Sequence, residues 1–162
     1  MNGSTENRAH GASETPERRE SALNLGTARR MLPLVQRIAS DILKNQQNLT
    51  KLAPEMDRME RQRRDLSWPE RSRRYRVQEE AATAERYYHD AVQELAGLGL
   101  ALLDAEEAKI GFPTVVNGRK AFFCWRPGEE GVDFWQFPED TVRRPIPASW
   151  AKLANLALSV KS

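Results

Sequence analysis

The densest run of chemistry-bearing residues is Cys124-Trp125-Arg126-Pro127-Gly128-Glu129, with Trp135 close behind. A guanidinium beside an indole at a strand end is suited to clamping a carboxylate or phosphate through paired hydrogen bonds. Cys124, Trp125, Arg126, Glu129 and Trp135 are therefore the candidate ligand-site residues. The competing structural reading is an Arg126–Glu129 ion pair closing a tight turn, with Cys124 and Trp125 as core. It carries more weight, because buried Cys and Trp are ordinary in small cores. A nucleophilic role for Cys124 is weaker still. It lies mid-strand among aromatics, which raises a thiol pKa, and the histidines, His10 and His89, show no pairing signature. One cysteine and two histidines give a zinc site no support. Gly97-Leu98-Gly99 follows a helix and does not open one, so it is not a phosphate loop. No catalytic residue, cofactor or metal is expected.

The second constellation is electrostatic. Arg58, Arg61, Arg63, Arg64, Arg71, Arg73, Arg74 and Arg76 crowd one stretch, against Asp57, Glu60, Asp65 and Glu70. All the bases are arginine, the side chain suited to bidentate phosphate contact and to stacking on bases. Arg61, Arg64, Arg71, Arg73 and Arg74, with Trp68, are the candidate nucleic-acid contacts. The alternative is a solvated charged face with i,i+4 pairs such as Glu60–Arg64 and Glu70–Arg74. Residues 101–140 have the opposite bias, with eight acids and four bases, which predicts a rod with a basic tip and an acidic base.

Two long helices must position that tip. Ala28, Met31, Val35, Ile38, Ile42, Asn45, Leu49, Leu52, Met56, Met59, Arg63 and Leu66 recur at steps of three and four, the seam of a long helix. Asn24 or Thr27 can cap its start. Pro33 and Pro54 fall opposite the seam, so the spacing predicts one curved helix, with a break at Ala53-Pro54 as the alternative. Val77, Ala81, Ala84, Tyr88, Ala91, Leu95 and Leu98 form a second seam. Ser67 and Glu70 make a capping box with Pro69 in the first turn. Gly97 and Gly99 mark the far end. So short a connection makes the helices antiparallel. At ~1.5 Å per residue, about the first four turns of the longer helix overhang their partner and need another cover.

That cover is a β-meander. Strands are expected at Phe112 to Val116, Arg119 to Arg126 and Val132 to Phe137, with Asn117-Gly118 as a type I′ hairpin turn. Phe122-Phe123-Cys124-Trp125 is apolar on both faces, so its strand needs two covers. The hairpin base is one. The C-terminal helix, through Trp150, Leu153, Leu156, Ala157 and Val160, or a second subunit is the other.

A chain of 162 residues, 40% hydrophobic and 30% charged, with net charge +2, suits exposed helices around a modest core. A single cysteine excludes an intrachain disulfide. No apolar run approaches the ~18–20 residues of a membrane span, and the polar N-terminus has no signal-peptide core. A cytoplasmic location is expected, with no membrane partner.

Leu23-Asn24-Leu25, Ala28, Met31-Leu32-Pro33-Leu34, Gly111-Phe112-Pro113, Gly118-Arg119, Cys124-Trp125-Arg126, Gly128-Glu129, Trp135 and Arg144-Pro145-Ile146 resemble a family of uncharacterised bacterial proteins, domain of unknown function 2203. The resemblance spans roughly residues 21–146 and implies a bacterial cytoplasmic helical-hairpin protein, with no activity to carry over. Gln136 stands where the family often has a histidine, and Phe137 to Val142 replaces a more Gly-rich stretch. A function resting on that histidine would be missing here.

The expected architecture is α+β and mainly α. Residues 1–20 form a disordered tail and 21–100 a long, coiled-coil-like antiparallel hairpin. Residues 101–146 form a three-stranded antiparallel meander on the hairpin base, and 147–162 a short C-terminal helix. The expected function is a non-enzymatic interaction or scaffold protein that docks a protein partner or a second copy through hairpin and meander. The alternative is an RNA- or ribosome-associated factor contacting phosphates through the arginine-rich tip. A small-molecule sensor or enzyme built on Arg126, Glu129 and Trp135 would require a closed pocket containing Arg126.

Overall fold

The computed structural model describes residues 23–150. Asn24 caps the first helix, α1 (Leu25–Arg61), its side-chain oxygen accepting the Thr27 N–H at 2.8 Å. Pro33 and Pro54 both lie inside α1 and both are exposed. The bonds they forfeit are on the solvent side, so the helix runs through both. A single 3-10 turn, Arg63–Asp65, follows. Ser67 then caps α2 (Trp68–Gly97), its hydroxyl accepting the Glu70 N–H at 3.4 Å.

The seam is the one the spacing predicts. Ala28, Val35, Ile38, Ile42 and Met59 of α1 are buried, as are Val77, Ala81, Ala84, Ala91 and Leu95 of α2. Its two polar positions behave differently. Asn45 is buried, but its amide donates to the Asp41 carbonyl of its own helix at 2.8 Å. Arg63 is exposed, because the chain has already left α1 for the 3-10 turn.

After α2 the chain forms five antiparallel strands, not three, paired in sequence order: β1 (Ala101–Asp104), β2 (Lys109–Val116), β3 (Arg119–Trp125), β4 (Phe134–Gln136) and β5 (Arg144–Pro145). The missed strands are the two edges. β1 has four residues and a register irregularity between Leu102 and Asp104. β5 has two residues, one of them proline. Neither is long enough to show a period of two. The third predicted strand is shorter than expected, because Val132, Asp133 and Phe137 remain outside it. Asn117 and Gly118 both take positive φ, 52° and 77°, as a type I′ turn demands.

Strand alternation divides the sheet into two faces. Ile110, Phe112, Val116, Ala121, Phe123, Trp125 and Trp135 join Leu25, Leu32, Val35, Ile38, Ile42 and Leu95 in one core. The overhanging start of α1 is thus covered by the sheet. Leu23 ties down there, donating its N–H to the Pro113 carbonyl and accepting the Thr114 hydroxyl, each at 2.7 Å. Trp150 packs against Trp135 at 5.3 Å and Phe123 at 6.4 Å between ring centroids. It therefore covers the hairpin side of the sheet and not the opposite face. The rest of the expected C-terminal helix, like the expected N-terminal tail, lies outside the described residues.

On the outer face, Gly111 pairs with Cys124 and Cys124 with Phe134. A Cβ at Gly111 would stand 2.8 Å from carbons of both Leu103 and Phe122, so glycine lets these side chains close over the strand.

The sheet-packed core reaches no farther along the hairpin than Leu43 of α1 and Tyr88 of α2. Beyond it, α1 continues for roughly 25 Å at ~1.5 Å per residue. A second cluster of Met59, Leu66 and Val77, with Leu52 and Met56 against it, closes the far end.

Candidate functional site

The sheet separates the candidate ligand residues. Cys124, Arg126 and Glu129 belong to the outer face, whereas Trp125 and Trp135 are buried in the hairpin-side core. Only the rim of Trp125 returns to the group, its Nε1–H donating to the Glu129 carbonyl at 3.0 Å. The turn closes on itself: the Glu129 N–H donates to the Arg126 carbonyl at 3.1 Å, and the Arg126 N–H to the Glu129 carboxylate at 3.0 Å.

Arg126 is not the main partner of Glu129. Its side chain is 3.7 Å from that carboxylate and 3.2 Å from Glu107. Arg143 makes the bidentate contact, at 2.9 and 2.8 Å, with its guanidinium 4.0 Å above the Phe134 ring. The Arg143 and Glu129 side chains are only 11% and 19% exposed. Burial alone would raise the Glu129 carboxyl. The Arg143 hydrogen bonds, the Arg126 N–H and the two guanidinium charges outweigh it and hold the group below its ordinary value.

Gln136 organises the other half of this face. Its side-chain carbonyl accepts from Lys109 Nζ at 3.3 Å and the Cys124 thiol at 3.5 Å. Its amide donates to the Asp140 and Phe137 carbonyls at 3.2 and 3.4 Å. The Asp140 carboxylate in turn accepts the Phe137 N–H at 2.9 Å. The segment after β4 is thereby folded back on the sheet. Sequence reasoning missed Lys109, Gln136 as an organiser, and Arg143. The alternation of Cys124 and Gln136 on facing strands was a usable signal, but nothing in the sequence tied Arg143 to Glu129.

Burial pushes the Cys124 thiol up to about 11, against the opposing pull of the Lys109 and Arg143 charges. A thiol so placed is inert at neutral pH. Maleimide labelling of Cys124 in the native protein at pH 7.5 should be at least ~100-fold slower than in denaturant, since under ~1% of the thiol is ionised. Comparable rates in the two states would contradict this burial.

At the hairpin tip the candidate contacts fall into two groups. Arg73 is held by Glu55. Arg74, with a side chain only 16% exposed, reaches Glu60 at 3.1 Å. Arg61, Arg64 and Arg71 are exposed and, among the described residues, have no carboxylate within ion-pair distance. The expected Glu60–Arg64 and Glu70–Arg74 pairs do not form; Glu60 turns instead to Arg63 at 3.7 Å and across the hairpin to Arg74. Trp68 stands 73% exposed at the start of α2, with Tyr75 67% exposed.

Residues 22–146 match the family described as an uncharacterized conserved protein, DUF2203. The chain belongs to the DUF2203 family. No curated protein and no solved structure matches it. The DUF2203 span contains the whole hairpin and all five strands, so the outer-face cluster and the tip both belong to the family domain.

A groove of about 870 Å³ runs along this DUF2203 hairpin between Lys44, Lys51 and Glu55 on α1 and Arg73, Glu80 and Tyr87 on α2. The seam residues Val77 and Ala84 of α2 line it, and it is distant in sequence from the Arg126 turn. Among the described residues, no three His, Cys, Asp or Glu side chains gather as a metal site would need, and no helix is long and apolar enough to cross a membrane.

Proposed function

We propose that this DUF2203 protein is a non-enzymatic interaction protein whose hairpin docks a partner, while the sheet caps and orients the hairpin. One observation carries the reading. The far half of the hairpin stands clear of the sheet-packed core and presents Trp68 and Tyr75 to solvent. A large exposed aromatic forfeits burial that is worth about 1.5–3 kcal/mol for a big apolar side chain, and aromatics are enriched at interface anchors. The outer sheet face supports the same reading from the other side. Its polar groups are satisfied by one another, and the Arg126 guanidinium is occupied by Glu107 and Glu129.

Site-specific photocrosslinking in cells tests this. A photoreactive residue at position 68 or 75 should give a discrete adduct, whether with another macromolecule or a second copy. The same residue at position 115, exposed on β2, should give none. Adducts from position 115 alone, or none from either tip position, would overturn the proposal.

A further inference from the structure

The charges at the two ends of the molecule are not equivalent, and that difference identifies the partner. The excess of acids in residues 101–140 suggests a surface on which a second copy's arginines could dock. In the structure five of those eight acids are paired locally, leaving Asp104, Glu106 and Glu130. Glu107 pairs with Arg126, Glu129 with Arg143, Asp133 with Arg29, Glu139 with Arg119 and Asp140 with Arg144. Three of those arginines, Arg29, Arg143 and Arg144, lie outside the acidic stretch in sequence, so counting charges along the chain overstates it. The tip is the reverse case. Among the described residues, Arg58, Arg61, Arg64, Arg71 and Arg76 are exposed without a carboxylate in ion-pair range, against the exposed and unpaired Asp57, Asp65 and Glu70. This leaves a positive excess, and the exposed indole of Trp68 lies in the same turn region.

We infer that the tip binds structured RNA, with Arg61, Arg64 and Arg71 on backbone phosphates and an unpaired base stacked on Trp68. The inference rests on the hairpin being the docking element and names its partner. Each part has a chemical reason. Guanidinium forks match phosphate oxygens bidentately. Recognition of loops and bulges uses bases splayed out onto aromatic or guanidinium planes. The start of α2 places the positive end of its dipole beside Trp68. The Arg74–Glu60 and Arg73–Glu55 contacts join the two helices, so Arg61, Arg64 and Arg71 project from a braced scaffold.

The test is fluorescence anisotropy of a labelled stem-loop RNA titrated with the full chain at about 50 and 200 mM salt. Three phosphate contacts predict micromolar or tighter binding at the lower salt, weakened roughly 20–40-fold at the higher. The combined R61Q, R64Q and R71Q variant should lose at least tenfold in affinity and most of the salt dependence. Trp68→Ala should lose about 5- to 150-fold with the salt dependence intact, the range for one stacked base. Circular dichroism of each variant checks folding, and Arg126→Gln on the sheet is the control expected to bind as wild type. RNA binding absent at low salt, unchanged in the triple variant, or matched by polyglutamate of equal charge would overturn the inference. The last result would assign the tip to an acidic protein. A crosslinked protein at position 68 together with absent RNA binding would sink the RNA assignment alone and leave the docking role of the hairpin standing.

Discussion

Phe112→Ala should destabilise the protein by about 3–5 kcal/mol and Leu95→Ala by about 2–5 kcal/mol, the usual ranges for deleting these side chains from a packed core. Phe112 is the largest fully buried side chain and comes from β2; Leu95, equally buried, comes from α2. Both belong to one cluster that joins the strands to the first half of the hairpin. The consequence is cooperative. Among the described residues this cluster is the core shared by the sheet and the start of α1, so helix and sheet should be lost together. In urea, far-ultraviolet circular dichroism and tryptophan fluorescence should report one midpoint in wild type, and that shared midpoint should fall in both variants. A Phe112→Ala protein that loses its fluorescence transition while keeping the helical one would mean that the sheet is a separate unit. A cost below about 1 kcal/mol at either position would contradict the shared core.

Long-period features were legible in the sequence and short-range partnerships were not. The helical seams persist over many turns, so the 3-4 spacing identified the hairpin and its passage through Pro33 and Pro54. Capping residues narrowed its starts to Asn24 or Thr27, of which Asn24 is the cap, and to Ser67. Asn117-Gly118 located the central β-hairpin because positive φ at two successive positions demands those residues. The edge strands escaped because two to four residues carry too little alternation, and β1 slips register. The candidate sites show the same division. The arginine-rich tip was visible as composition, but which arginines remain unpaired depends on Glu55 and Glu60 reaching across the hairpin. The turn from Arg126 to Glu129 was visible too, whereas the arginine that matters most to it arrives from fourteen residues downstream.

Arg143→Ala should cost about 2–4 kcal/mol, whereas Arg126→Ala should cost less than about 1 kcal/mol. Both guanidiniums approach Glu129, but in different surroundings. Removing one member of a buried pair typically costs about 3–5 kcal/mol because the other charge is stranded. Arg143 and Glu129 are mostly but not wholly covered, which shifts the expected cost about 1 kcal/mol below that range. Arg143 also loses its contact with the Phe134 ring. Arg126 is half exposed and 3.7 Å away, the geometry of a weak surface pair. The pair gives stability a sign with pH. The Glu129 carboxyl sits below its ordinary value of 4.5 when folded, so its contribution is complete above that pH and fades as pH falls through the lower folded value. Glu129→Gln should destabilise the protein at pH 7 and have progressively less effect toward pH 3, because wild type loses there what the variant already lacks. Glu55 and Asp140 are also held low, but they are present in both proteins and cancel in the difference. Urea midpoints of wild type and variant across pH 7 to 3 measure that difference directly. A gap that stays constant or widens toward acid would show that Glu129 is not ionised against Arg143, and the bidentate closure of the outer face would have to be abandoned.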